Sequence, residues 1–204
     1  MKTLSLDPAR SFNIFMIRDF LDPEECAGLM AEARSAPTTP APVYVKGSTE
    51  LVHESVRKAA SLHLSDETIS RLQDELLKQK RVLEKYFGQN LTDCERPQFL
   101  RYREGDFFVR HQDGNTEQLE FDHLRIRRIS IVVFLNDSSA EPKADTFSGG
   151  SLNFYQEADD LPAESSVFGL LGEAGLLVAF TAETIHEVTP VTRGERFTII
   201  SWFR

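Results

Sequence analysis

The chain has 204 residues, enough for one compact domain with a sizeable core, and 41% of them are hydrophobic. A formal charge of −9 argues against a broad, non-specific grip on nucleic acid or on an anionic membrane. Two distant cysteines, Cys26 and Cys94, have no CxxC spacing, which argues against a disulfide framework and for a reducing compartment.

The N-terminal MKTLSLDPARSF has no apolar stretch of the signal-peptide kind, and no apolar run approaches the ~18 residues of a membrane span. A soluble, cytoplasmic protein with no membrane partner is expected. Residues 12–20 (FNIFMIRDF) read as a first strand. Asp22-Pro23-Glu24-Glu25 then opens a helix, with Asp22 as N-cap and Pro23 at the first helical position, and the Pro-rich APTTPAP stops it near Ala36. A strand is expected near Val43–Lys46, followed by an extended segment around His53–Ser65. Ser65 opens the longest helix, in which Ile69, Leu72, Leu76, Leu77, Val82, Leu83 and Phe87 recur at three- and four-residue steps, and Gly88 closes it.

From Pro97 the texture changes to strands. QFLRYREG, FFVRHQD, IRRISIVVFLND, GSLNFY, LLVAFT, HEVTPV and RFTIISWFR are β-branched or aromatic segments separated by Gly, Asp, Asn or Ser. The fold class expected is α+β, mainly β. Residues 1–95 form a helix-rich support and residues 96–204 a double-stranded β-helix, or jelly roll, within a single domain. Two long polar connections, Gly114–Leu124 and Asp137–Gly149, are candidate lids.

Three features of the β-rich half need a common explanation. The first is His111-Gln112-Asp113, because residues i and i+2 of an extended strand face the same side and bring an imidazole and a carboxylate to one point. The second is His186, at the start of HEVTPV, and the third is Arg196, in RFTIISWFR. Two histidines and one carboxylate form the facial triad of Fe(II) oxygenases and leave coordination positions open. Those positions take a chelating 2-oxo acid and O2. The distal carboxylate of such an acid needs a buried bidentate partner, which Arg196 supplies.

These residues resemble the prolyl-4-hydroxylase-like branch of the Fe(II)/2-oxoglutarate dioxygenases. The resemblance runs through Tyr102-Arg103-Glu104-Gly105, the HQD triplet, Phe134-Leu135-Asn136-Asp137, Gly149-Gly150-Ser151-Leu152-Asn153-Phe154, and His186-Glu187-Val188-Thr189-Pro190-Val191 through Gly194-Glu195-Arg196 to Trp202. It implies His111, Asp113 and His186 as catalytic iron ligands, and Arg196 as the partner of the 2-oxoglutarate carboxylate. Thr198 is implied as a hydroxyl donor to that carboxylate and Tyr102 as a lining residue beside the HxD strand. Some members carry a tyrosine just before the Leu-Asn pair; Phe134 stands there and cannot make that hydrogen bond. In related halogenases a small residue replaces the carboxylate ligand, so Asp113 favours hydroxylation.

The activity implied is hydroxylation of an unactivated C–H with Fe(II), 2-oxoglutarate and O2, and ascorbate as a candidate reductant. The substrate implied is a prolyl residue of a peptide or protein. A free amino acid or small biosynthetic intermediate stands beside it, because site chemistry transfers within a fold more readily than substrate choice. A non-catalytic iron and 2-oxoglutarate sensor is the alternative from another class. Nucleic-acid demethylation is disfavoured by the charge, although Arg101, Arg103, Arg110, Arg125, Arg127 and Arg128 crowd one stretch. Arg57 and Arg128 are candidate substrate-facing residues, His123 a candidate substrate contact, and His53 and His63 rival ligands. The sequence carries no signal of oligomeric state.

Overall fold

The computed structural model describes residues 8–43, 52–114, 124, 126–141, 143–156 and 167–204. In chain order the elements are α1 (Pro8–Ser11), β1 (Phe15–Ile17), α2 (Pro23–Ser35), β2 (Thr38–Pro40), β3 (Arg57–Lys58), β4 (Ala60–Leu62), α3 (Asp66–Lys78) and α4 (Lys80–Phe87). The strands β5 (Gln98–Tyr102), β6 (Phe107–His111), β7 (Ile129–Phe134), β8 (Ser148–Gly149), β9 (Leu152–Tyr155) and β10 (Val167–Leu170) follow. The chain ends with β11 (Leu177–Thr181), β12 (Ile185–Val188), β13 (Val191–Arg193) and β14 (Arg196–Phe203).

The helices start and stop where their end chemistry dictates. At α2 the Asp22 carboxylate accepts from the Glu25 N–H, while Glu25 reaches back to the Asp22 N–H, a reciprocal capping box with Pro23 in the first turn. The Ser65 hydroxyl caps α3 by accepting from the Thr68 N–H. Gly88 ends α4 in the left-handed conformation at φ 64°. The single helix expected from Ser65 to Gly88 is divided at Gln79. There the N–H bonds to Leu76 O, three residues back, which tightens the turn and redirects α4. Ile69, Leu72, Leu76 and Leu83 are buried by this path, whereas Val82 is left exposed.

The N-terminal half contributes strands as well as helices. Of the segment 12–20, three residues form β1, which pairs with β11. The Pro-rich stop contains β2, paired with β4, which in turn extends β5; β3 pairs with β6. The strand expected near Val43–Lys46 lies mostly outside the described residues.

Among the described residues, seven antiparallel strands form one sheet in the order β1-β11-β7-β14-β5-β4-β2, and five form a facing sheet in the order β10-β9-β12-β6-β3. The pair β8–β13 sits at one end. Two opposed antiparallel sheets with helices on one side are the expected jelly roll. Strand β7 (ISIVVF) is buried at every position, because it has helices behind it and the second sheet in front. Leu29, Leu72, Leu76, Leu83, Phe99 and Phe197 belong to the outer core between the large sheet and the helices. Phe108, Phe134, Leu152, Phe154 and Phe180 belong to the inner core between the sheets. Among the described residues no helix is long and apolar enough to cross a membrane, and Cys26 and Cys94 are buried free thiols.

Candidate metal and co-substrate site

His111 ends β6 and His186 lies in β12, directly opposite it in the pairing of these strands. Their rings are 4.1 Å apart between centroids. Asp113 follows two residues after His111, where its N–H bonds to Ala182 O and holds the chain against β11. Its Oδ1 is 3.5 Å from His111 Nε2 and its Oδ2 is 3.6 Å from His186 Nε2. The ligand atoms of the three residues lie within 4.8 Å of one another, and among the described residues they are the one group so arranged. Gln112, between them, turns away and donates to Glu183 O.

The hydrogen bonds behind the imidazoles decide which nitrogen is free. His111 Nδ1 is 2.8 Å from Val109 O, and His186 Nδ1 is 2.9 Å from Thr184 O. A carbonyl only accepts, so each Nδ1 carries the proton and each Nε2 presents its lone pair to the cluster. Phe108 stacks face to face on His111 at 3.5 Å, and Phe180 packs edge-on against His186. Burial, helped by His111, pushes His186 down to about 4 against the pull of Asp113, so the ring is neutral at pH 7 and able to ligate. Burial alone would raise the Asp113 carboxyl; His186 and His111 beside it hold it well below the usual carboxylate range. A carboxylate and two imidazoles whose Nε2 atoms face it suit a divalent, borderline-hard ion with positions to spare.

Arg196, at the start of β14, is 1% exposed and shares a cavity of about 280 Å³ with the three residues above. Its Nη1 is 3.3 Å from Thr198 Oγ1, and its Nε has no partner. The guanidinium centre is 5.2 Å from the Tyr102 ring and 4.9 Å from the Phe134 ring. Burial lowers it to about 10, so it is still a cation at pH 7, yet no carboxylate among the described residues pairs with it. A buried, orphaned guanidinium is a site that lacks its anion. The donor set therefore fits a dicarboxylate that chelates a metal at one end and reaches Arg196 at the other. Gly150, at φ 57°, permits this packing, because a Cβ there would stand 3.0 Å from Arg196 Cδ and 2.9 Å from Val191.

Residues 97–204, more than half of the chain, match the family model of the 2OG-Fe(II) oxygenase superfamily. The chain belongs to that superfamily. Fe(II), 2-oxoglutarate and O2 are the metal and co-substrates of this superfamily, and the cluster and Arg196 suit them. A PKHD-type hydroxylase of Paraburkholderia xenovorans is 36% identical over 113 residues, covering 53% of this chain and 42% of that protein. Another, of Cupriavidus pinatubonensis, is 33% identical over 109 residues with the same shares. The matched part thus spans less than half the length of these relatives. A crystal structure of a Pseudomonas putida prolyl-4-hydroxylase shares the fold, with a TM-score of 0.69, 23% identity, and 97% of this chain and 95% of that chain covered. A Trichoplax adhaerens prolyl hydroxylase, solved with a peptide fragment of hypoxia inducible factor, does so at a TM-score of 0.64 and 16% identity, with 96% and 84% covered.

Within this oxygenase site, all six residues singled out by sequence line one cavity: Tyr102, His111, Asp113, His186, Arg196 and Thr198. The rival His63 is instead hydrogen-bonded to Thr39, His53 is outside the metal-type cluster, and His123 lies outside the described residues. Arg128 is absent from the described cavity lining, which its neighbour Arg127 joins. Of the two candidate lids, positions 115–123 of the first lie outside the described residues. The second is tied down: Phe147 is fully buried and Arg193 donates to the carbonyls of Ser139, Ala140 and Glu141.

Sequence reasoning missed three groups in this site. The buried Ser130 hydroxyl donates to Asp113 Oδ2 at 2.7 Å, which leaves Oδ1 as the freer ligand atom. Arg127 makes a two-pronged ion pair with Glu95 at 2.9 and 2.7 Å, and its guanidinium lies 3.5 Å over the Trp202 ring. Trp202 lines the cavity too, and its buried indole N–H meets no hydrogen-bond acceptor among the described residues. Only strand pairing reveals that Ser130 and Trp202 stand side by side on β7 and β14.

Proposed function

We propose that this oxygenase is a dioxygenase that uses Fe(II) and 2-oxoglutarate to hydroxylate an unactivated C–H, in a prolyl residue of a peptide or protein or in a small amino-acid-like molecule. His111, Asp113 and His186 would hold the metal, and Arg196 and Thr198 the distal carboxylate of 2-oxoglutarate, beside Tyr102. We take residues 1–95 and 96–204 as the support and core of one domain, ascorbate as the reductant and the cytoplasm as the location. The observation that carries the reading is the uncompensated Arg196 in the same cavity as the His–Asp–His cluster.

The chemistry supplied by the bound metal is oxidative decarboxylation of 2-oxoglutarate to succinate and CO2, coupled to insertion of one oxygen atom of O2 into a substrate C–H. The protein's own residues orient and exclude. Val109 O and Thr184 O fix the two imidazoles, and Ser130 fixes the carboxylate. Leu100, Ile131, Val132, Leu152 and Val188 line the cavity and keep water from the reacting carbon. The prolyl part of the reading draws on the prolyl hydroxylases that share the fold.

The test measures succinate formation by the purified chain with Fe(II), 2-oxoglutarate and a panel of prolyl peptides and amino acids. Metal- and 2-oxoglutarate-dependent succinate that vanishes in Asp113→Ala supports the reading. Tight 2-oxoglutarate binding with no turnover would instead mark a sensor, and failure to bind metal would overturn both.

A further inference from the structure

Arg57 is the second nearly buried guanidinium of the cavity, and the chemistry above does not use it. It is 7% exposed and lines the cavity, and its strand β3 is an edge strand paired with β6. Its Nη1 donates to Pro42 O at 2.9 Å, and its Nε is buried without a partner. The guanidinium centre stands 4.7 Å over the Phe108 ring, whose other neighbour is His111, stacked at 3.5 Å. Arg57 is therefore one aromatic ring away from a metal ligand. No carboxylate among the described residues pairs with it.

A charge balance over the described lining shows what is missing. The charged groups are Arg57, Glu95, Asp113, Arg127 and Arg196, beside the imidazoles of His111 and His186. Glu95 is matched by Arg127. Asp113 and the two charges of 2-oxoglutarate would together offset a divalent metal and Arg196. One cation is left over, and it is Arg57. An unmatched charge so far from water is costly unless a ligand brings the opposite charge. Leu152, Val188, Val132 and Ile200 give the same cavity an apolar part to its lining.

We infer that Arg57 binds a carboxylate of the substrate, so that the substrate is a small carboxylic acid with an apolar carbon body lying between Arg57 and the metal ligands. The inference rests on the dioxygenase reading and adds the substrate class to it. A free amino acid and the last residue of a peptide both present this chemistry. A residue inside a longer chain does not. The planar, always-charged guanidinium suits a carboxylate in two-pronged contact, with Phe108 holding its other face.

The experiment uses the full chain loaded with Fe(II) and 2-oxoglutarate. Succinate formation is followed with free amino acids, with the same amino acids as C-terminal amides, and with short peptides ending in a free or an amidated carboxyl group. Acids are expected to stimulate turnover and amides not to; the free amino acids and the peptides separate the two sources. Arg57→Met should raise the KM for the acid by about 100-fold or more. Arg57→Lys, which keeps the charge, should recover part of that loss and guards against a merely misfolded variant. Anaerobic titration of 2-oxoglutarate should give the same affinity in both variants as in the parent. Amides that serve as well as acids, a panel in which no acid stimulates, or an unchanged KM in Arg57→Met overturns the assignment. Those results leave metal-dependent succinate formation in place, stimulated by amides or at its uncoupled rate, whereas failure of the dioxygenase reading would remove it.

Discussion

The two sheets that face each other across the cavity carry different parts of the site. The five-stranded sheet supplies both histidines, on β12 and β6, together with Phe108 and Arg57. The seven-stranded sheet supplies Arg196, Thr198 and Trp202 from β14 and Ser130 from β7. The histidines are fixed by local hydrogen bonds to Val109 and Thr184, each two residues back in the chain, and need little from the rest of the molecule. Arg196 has one long local contact, from Nη1 to Thr198 Oγ1 at 3.3 Å, and is otherwise held by packing between Tyr102 and Phe134 on a sheet backed by helices. A lone cation can be kept out of water only where the surrounding backbone cannot relax toward it. The comparison teaches that the two histidines are oriented by local contacts, while the placement of Arg196 depends on the whole large sheet.

The largest effect that would break this division is expected at Arg196. Arg196→Met should weaken 2-oxoglutarate by about 100-fold or more in anaerobic titration, while metal affinity is retained. The same variant should melt at a higher temperature than the parent when both are ligand-free, because an apolar side chain replaces an unpaired buried charge. A lower melting temperature would show that the cation is compensated after all. Next in size is Leu72→Ala, which removes a fully buried contact between α3 and the large sheet. A loss of about 2–5 kcal/mol in denaturant unfolding is expected, with metal affinity unchanged below the transition.

Ser130→Ala tests the side-chain hydrogen bond that the large sheet makes to the His–Asp–His cluster. Loss of its hydrogen bond to Asp113 Oδ2 should weaken metal binding by about 10-fold, read by competition with a chelator, and leave 2-oxoglutarate affinity unchanged at saturating metal. The smallest effect concerns Glu32, which ties α2 to the start of α3. Burial alone would raise its carboxyl, but the Ser65 N–H and the Thr68 hydroxyl outweigh it and hold it below the ordinary glutamate range. A carboxyl lowered in the folded state contributes stability above its unfolded pKa and loses it as pH falls through the folded one. The stability difference between the parent and Glu32→Gln should therefore shrink between about pH 7 and about pH 3, measured by urea unfolding.

The helix ends were legible because capping is local: Asp22, Pro23, Ser65 and Gly88 carry the signal within a turn of the position they mark. The break at Gln79 was not, since the apolar spacing continues across it and the choice depends on where Leu83 meets the core. The short strands β1 to β4 were poorly legible for a similar reason. A strand of two or three residues has little pattern of its own and is created by the neighbour it pairs with.

By itself the sequence put His111 and Asp113 on one strand face, and its resemblance to the Fe(II)/2-oxoglutarate dioxygenases added His186 and Arg196 as candidates. It also determined the fold class, through the alternation of short apolar segments and turn residues after Pro97. Only the tertiary structure decided that Ser130 touches Asp113, that Trp202 and Arg127 stack beside them, and that Arg57 and Arg196 line the cavity with no carboxylate paired to them among the described residues. Those facts depend on which strands lie side by side and on what is absent around a charge. Neither is written in the spacing of residues along one chain, since both arise from contacts between segments far apart in sequence.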